Sequence, residues 1–296
     1  MPASQEAITL TAGGTQCELL PWLGGSVGSW TVEGQPMLRA ASRASLLEGN
    51  PLGVASFPLV PYSNRIGSGR FEWQGTSVVL DQNAPGEPHA LHGVGFRRPW
   101  QARAVAAEAA TLVLLHRPDD TWPWAFEARQ DIAIRQGELT LDLCAINLEA
   151  KPVPLAFGHH PYLQAAGASL SFAATGVWIA GRDGLPSERV APSGAFDFGA
   201  PRSVAAANVD HCYDGWDGLA RVRWVDRPLA LEIVASATLP NAVVYIPPGG
   251  DAFCVEPVPH VTNALNLGTR AAPMPVIGPR EAFHATIRLR AIRPPA

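Results

Sequence analysis

Glycine and proline interrupt this chain so often that long helices have little room to form. The 28 glycines and 28 prolines among 296 residues take roughly one position in five, against an ordinary background of roughly 12%. Proline removes a backbone donor and clashes with the preceding turn, while glycine is costly inside a helix. Between the interruptions the hydrophobic pattern has period two. From Ala125 to Ile134, Phe126, Ala128, Ile132 and Ile134 share one side, and Glu127, Arg129 and Asp131 share the other. After the turn Gln136-Gly137, Leu139, Leu141 and Leu143 alternate with Thr140 and Asp142, so the two runs predict a hairpin. Phe71–Leu80, Thr111–His116, Arg221–Val225, Leu229–Ala235, Ala242–Ile246 and the alternation around Ile287 and Leu289 predict further strands. Only Ala41–Glu48 reads as a turn or two of helix. The expectation is an all-β protein, a large antiparallel β-sandwich or barrel-like stack of sheets. Length alone allows two domains, but all-β chains of this size fold as one, and no linker or repeat divides residues 1–296.

Charge narrows the partners. Lys and Arg number 22 against 26 Asp and Glu, a net charge of −4. With no basic block, nucleic acid is not an expected partner. No Lys-rich amphipathic stretch or apolar run of about 18 residues points to a membrane. The opening, Met1-Pro2-Ala3-Ser4-Gln5-Glu6, has neither a basic n-region nor a long apolar h-region, so a cytoplasmic protein is expected, monomeric or weakly dimeric. Cys17, Cys144, Cys212 and Cys254 lie far apart, which fits buried free thiols better than a disulfide frame or a zinc site. The tail Arg293-Pro294-Pro295-Ala296 reads as a frayed end.

Four short stretches concentrate the residues that carry chemistry. They are Pro61–Gly67 with Asn64 and Arg65, His89–Gly93 with His92, Phe157–Leu163 with His159 and His160, and Cys254–Asn266 with Glu256. Asp210-His211-Cys212-Tyr213 is a weaker fifth. Each sits at a strand end or a Gly/Pro-rich connection, where a rigid β scaffold displays functional groups. Singly, each also has a structural reading. A histidine in Ala156-Phe157-Gly158-His159 serves equally well as a hydrogen-bonded core residue. Glu256, set among Phe253, Val255 and two prolines, is expected to be buried and to need a partner, Arg65 being one choice. Asn64-Arg65 closing a turn, and Asp210 capping one, need no catalysis.

A metal is disfavoured. His159 and His160 are consecutive and point to opposite faces of a strand, and Pro257 and Pro259 exclude the helix that would align Glu256 with His260. No H-E-x-x-H pattern, phosphate-binding G-x-x-x-x-G-K loop or G-x-S-x-G elbow occurs. What remains is a set of imidazoles, one poised carboxylate, an arginine, an aspartate and amides. Tryptophans such as Trp122 and Trp124 offer apolar faces to sugar rings or to the core. A carboxylate and a histidine make an acid–base couple suited to moving protons on a neutral, polyhydroxylated substrate.

In order and spacing these stretches resemble the aldose 1-epimerase (galactose mutarotase) family. Asn64-Arg65-Ile66 looks like its N-R-I stretch, Leu91-His92-Gly93 like its H-G motif, and His160-Pro161-Tyr162-Leu163 like its H-S-Y-F segment. Asp210-His211-Cys212-Tyr213 looks like D-H-x-[FY], and Val255-Glu256-Pro257 followed by Asn263–Asn266 like its E-P…N stretch. Any one motif is weak, but five in register are specific, and the likeness runs from about residue 8 to 292. The resemblance implies a supersandwich fold and interconversion, without a cofactor, of the α and β anomers of a free aldose such as glucose or galactose. It implies that Glu256 takes the proton of the anomeric hydroxyl, that His160 protonates the ring oxygen and that His92 supports the developing charge. Arg65, Asn64, Asp210 and Trp124 are then expected to bind the sugar. His160 is chosen over His159 because Tyr162, two residues on, fixes the match. Pro161 and Leu163 depart from the family's Ser and Phe, and Val94 from a second Gly. The alternatives are a non-catalytic carbohydrate-binding protein on the same fold, a hexose-6-phosphate 1-epimerase in which Arg65, Arg97 or Arg98 meets a phosphate, and a glycosidase pairing Glu256 with Asp210 or Asp251.

Overall fold

The alternating runs form two antiparallel sheets laid face to face in a computed structural model that describes residues 6–268 and 273–294. The expected hairpin is present: Phe126–Arg135 pairs with Glu138–Asn147, in register from Phe126↔Asn147 to Arg135↔Glu138. Gly137 closes it at φ +74°, a left-handed conformation that glycine adopts without strain. Phe126, Ala128, Ile132 and Ile134 are buried as the pattern requires. Gln130 lies on the same inward side, a polar residue in an apolar row.

In the larger sheet the strands run Ile8–Ala12, Thr15–Leu20, Ser26–Val32, Ser56–Leu59, Gly158–Gln164, Ala252–Val258, Asn241–Ile246, Val209–Asp214, Gly176–Ala180 and Pro186–Val190, with Gln35–Pro36 paired to Ser26–Val32. In the smaller sheet the order is Gln101–Val105, Ala109–His116, Phe126–Arg135, Glu138–Asn147, Ala282–Ile292, Ala230–Ala235, Leu219–Trp224, Ala168–Phe172 and Arg202–Ser203. The inner faces meet in one core. Val27, Leu163, Val244, Phe253 and Val255 come from the larger sheet, and Leu112, Phe126, Ile132, Leu139, Leu231 and Ile287 from the smaller. Each such side chain contributes about 1.5–3 kcal/mol by leaving water.

Phe71–Leu80 is two strands rather than one. Arg70–Trp73 turns back on Thr76–Val79 because Gln74 and Gly75 both take left-handed backbone, φ +49° and +79°, the geometry of a tight hairpin turn. The helical stretch is Arg43–Glu48, where the Ser42 side chain accepts the Ser45 N–H and Gly49 ends the helix in left-handed backbone. A second short helix, Ala264–Leu267, was not foreseen. All four cysteines are buried and free. Among the described residues no helix is long and apolar enough to cross a membrane. The opening residues 1–5 and the tail's last two residues, on which the expectations of no leader and a frayed end rest, lie outside the described residues.

One strand of the larger sheet positions the chemistry. Gly158–Gln164 pairs along its first half with Ser56–Leu59, from Gly158↔Leu59 to Pro161↔Ser56, and along its second half with Ala252–Val258, from Tyr162↔Cys254 to Gln164↔Ala252. The Tyr162 N–H bonds to Ala55 O, so by alternation position 161 faces the other neighbour, just before that ladder begins. A proline there forfeits no ladder bond, which accounts for Pro161 in a central strand. One step beyond Tyr162↔Cys254, His160 stands opposite Glu256 with no backbone pairing between them.

Candidate active site

The same register gathers the expected residues. Glu256 lies across from Val243, Cys254 from Tyr245, and Tyr245 from Asp210. Cross-strand partners share a face, as do residues two apart along a strand. His160, Tyr162, Cys254, Glu256, Tyr245 and Asp210 therefore occupy one face of the larger sheet, turned away from the core.

At its centre His160 Nε2 lies 3.2 Å from Glu256 Oε1. The two residues are 5% and 2% exposed. Among the described residues, His160 Nδ1 and Glu256 Oε2 are buried without a hydrogen-bond partner. The His160 imidazole packs on Phe57, with centroids 4.4 Å apart, and on Tyr162 at 4.7 Å. The Arg39 guanidinium lies 3.8 Å over the Tyr162 ring and is held by the Leu52 and Val54 carbonyls. Burial pushes the Glu256 carboxyl well above the usual carboxylate range, Asp210 adding to the rise and Arg65 opposing it. Burial likewise holds His160 below the usual imidazole range, aided by Arg39. Burial thus penalises both charged forms and favours the neutral acid beside the neutral imidazole.

His159 belongs elsewhere. It points through the sheet into the core, where Nδ1 meets Ser56 Oγ and Nε2 meets Gln130 Oε1. Gln130 in turn donates to Gly25 O at 3.0 Å, which accounts for the polar residue in the apolar row of the opposite sheet. His159 is thus committed to the core, while His160 meets Glu256 on the other side of the sheet.

His92 and Asn64 fix one another. Both take left-handed backbone at φ +57°. His92 N–H donates to Asn64 O at 2.9 Å, and Asn64 N–H donates to His92 Nδ1 at 3.1 Å. With Nδ1 accepting, the proton of the neutral ring sits on Nε2. Burial lowers the His92 pKa well below the ordinary value, with His160 and Arg65 acting the same way, so the ring stays a neutral donor. The His92 and His160 rings meet edge-on at 5.1 Å. The adjoining Gly93 is at φ +69°, and a Cβ there would come within 2.3 Å of Val60 O. Glycine is required at that position, whereas Val94 has φ −114°, so the departure from a second Gly is harmless.

Arg65 does not pair with Glu256. Its Nε donates to Glu87 Oε2 at 3.1 Å and its Nη1 lies 3.6 Å from Asp210 Oδ2, while Asn64 Oδ1 accepts from the Arg65 backbone at 2.9 Å. Asp210 sits within a strand and caps no turn. Trp124 departs from expectation: 5% exposed, it packs against Phe71, Trp73 and Trp122. Trp124 therefore spends its faces on packing against these neighbours. Sequence reasoning missed Arg39, Glu87 and Tyr245, none of which carries a motif. The only available signal for Tyr245 was its place in the alternation of Ala242–Ile246. His89, His211 and His260 are structural: their Nδ1, Nδ1 and Nε2 atoms accept the backbone N–H of Ser68, Ala180 and Ser63 respectively.

Two stacked antiparallel sheets with almost no helix make this a galactose mutarotase-like β-sandwich. The sequence profile of the Aldose 1-epimerase family matches residues 6–288, and the chain belongs to that family. It is 26% identical over 265 residues to the uncharacterized protein YphB of Escherichia coli K12, covering 86% of this chain and 88% of that protein. A proposed aldose 1-epimerase from Escherichia coli K12 superimposes with a TM-score of 0.90 at 24% identity, covering 98% and 99% of the two chains. Galactose 1-epimerase from Lactobacillus acidophilus NCFM gives 0.77 at 18%, covering 96% and 93%.

Proposed function

We propose that this protein is an aldose 1-epimerase that interconverts the α and β anomers of a free aldose by acid–base ring opening. The observation that carries this reading is the His160–Glu256 pair, buried, 3.2 Å apart, and with one unpartnered polar atom on each member. Opening a pyranose removes the proton of the anomeric hydroxyl and delivers one to the ring oxygen, so the proton count is unchanged. A pair holding one proton between two sites meets that requirement at every stage. Glu256 takes the hydroxyl proton, His160 gives one to the ring oxygen, and after rotation about C1–C2 the roles reverse for closure. His92, neutral with its proton on Nε2, donates a hydrogen bond toward the ring oxygen. Arg65 and Asp210 hold ring hydroxyls. Each acid or base group contributes typically about 10²–10⁴-fold.

A neutral sugar suits the cations better than a sugar phosphate. Arg65 is engaged by Glu87 and Asp210, Arg98 by Asp119 at 2.5 Å, and the Arg97 guanidinium lies over the Phe96 ring at 4.9 Å. Polarimetry of freshly dissolved α-D-glucose and α-D-galactose tests the proposal. Purified protein should speed the approach to anomeric equilibrium, and a rate equal to buffer across several aldoses would reduce it to a sugar-binding protein.

A further inference from the structure

The His160 ring is one layer of a column of packed groups. Phe57 lies against it at 4.4 Å between centroids and 24° between planes, and Tyr162 at 4.7 Å and 35°. The Arg39 guanidinium lies 3.8 Å over the Tyr162 ring, close enough for a cation–π contact. Arg39 also ties the column together. Its Nη2 donates at 2.9 Å to both Leu52 O and Val54 O, on the turn that enters Ser56–Leu59 and so carries Phe57. Its own N–H donates to Tyr162 O at 2.9 Å. One arginine thus braces the backbone segments that carry both ring neighbours of His160. The segment that holds it is itself fixed, since Met37 N–H bonds to Trp30 O and Ala41 N–H to Gly28 O.

We infer that Arg39 is a positioning residue for the ring-opening chemistry: acting through Tyr162, it holds the His160 ring against Glu256 and, by its charge, drives the proton of His160 toward the ring oxygen. The inference rests on the epimerase reading for the task His160 performs. A ring ether oxygen is a weak base, so its donor must release the proton readily. A fixed positive charge beside an imidazolium achieves this by disfavouring the charged form. The other groups facing His160 do not supply that charge. Phe57 brings none from its strand. Burial pushes the Cys254 thiol and the Tyr162 phenol up and the His92 pKa down, which leaves all three neutral. Glu256, 3.2 Å away, is the proton's other holder. Arg65 and Asp210 bear on Glu256 with opposite signs, whereas Arg39 is the cation that bears on His160. Arginine suits the task because its guanidinium stays charged at every working pH. Its side-chain hydrogen bonds go to carbonyls rather than carboxylates, so they do not cancel its charge.

Two variants separate charge from bracing: Arg39→Met keeps the apolar stem and removes the charge, and Arg39→Lys keeps the charge over the ring. An NMR titration of the His160 ring, its signal identified by its loss in His160→Asn, tests the coupling without depending on turnover. Burial and Arg39 hold this ring at a pKa of about 3. In Arg39→Met it should titrate about one unit or more higher, and in Arg39→Lys within about half a unit of the parent. By polarimetry, Arg39→Met should lower kcat about three- to tenfold with KM within about twofold, and Arg39→Lys should recover most of that loss. A merely structural brace would lower the melting temperature without moving the titration or being rescued by charge. Equal kcat losses in the two variants, a rise in KM with kcat unchanged, or a His160 titration indifferent to both substitutions would each overturn the inference. A titration that follows the charge at position 39, in a protein that leaves every aldose at its buffer rate, would sink the epimerase reading and leave the coupling of Arg39 to His160 standing.

Discussion

Replacing His159 by glutamine separates the two adjacent histidines by their effect on acid stability. Burial holds His159 at a pKa of about 3 and His260 at about 4, against about 6.5 in an unfolded chain. Because the folded values are depressed, the stability they confer is complete above about pH 6.5 and falls as pH drops toward the folded values. From pH 7 to pH 5 the unfolded chain gains about three-quarters of a proton at each site, which the folded protein refuses. That costs about 2 kcal/mol per histidine, or about 4 kcal/mol for the two, out of a typical total of 5–15 kcal/mol. The measurement is denaturant unfolding at pH 7, 6 and 5. His159→Gln should be less stable at pH 7 by about 1–3 kcal/mol, through disturbed bonding to Ser56 and Gln130. Its further loss between pH 7 and 5 should be smaller than the parent's by about 2 kcal/mol. Since His159 faces the core, the variant should keep its anomerisation rate. An unchanged pH slope, or an activity loss as large as that of a His160 variant, would refute the assignment.

Glu256→Gln and His160→Asn should each lower polarimetric turnover at least about 100-fold while circular dichroism stays native. Burial raises the Glu256 pKa, so folded protein keeps a proton that the unfolded chain releases above about pH 4.3, and stability falls as pH rises toward the folded value. Glu256→Gln removes that penalty, and its melting temperature at pH 8 should exceed the parent's, a gain that a drop would contradict. Gly93→Ala brings a Cβ within 2.3 Å of Val60 O at φ +69° and should cost about 2–4 kcal/mol in urea unfolding. Arg65→Lys cannot span Glu87 and the Asp210 side together, and should raise KM about tenfold with a smaller change in kcat.

The alternation of Phe126–Ile134 and Leu139–Leu143 made the hairpin legible because both strands bury one face, and period two is the direct record of that. Phe71–Leu80 misled because Gln74-Gly75 sits inside an otherwise continuous run, and left-handed backbone at Gln74 leaves no hydrophobic mark. The site was legible where it depends on residue identity, at His92, His160, Asp210 and Glu256. It was not legible where it depends on which strands lie side by side. Arg39 reaches the site because its N–H bonds to Tyr162 O, and Glu87 because a loop folds over Arg65. Neither relation is local in sequence. Trp124 shows the reverse error: an aromatic residue suited to sugar stacking was used by its neighbours Trp73 and Trp122 instead.

The strand Gly158–Gln164 holds two unlike chemical environments one peptide apart, and this restricts how the gene can vary. A deletion or insertion of a single codon ahead of His159 would carry the core-bonded imidazole to the outer face and drive that of His160 into the core, losing the bonds to Ser56 and Gln130 and the contact with Glu256 together. Substitution is the tolerable route of change here, as Pro161 and Leu163 illustrate. Differences in length between relatives should therefore fall in the connections, such as Pro247–Asp251 or Gly181–Gly184, and a library built to alter sugar preference gains nothing by varying the length of this strand.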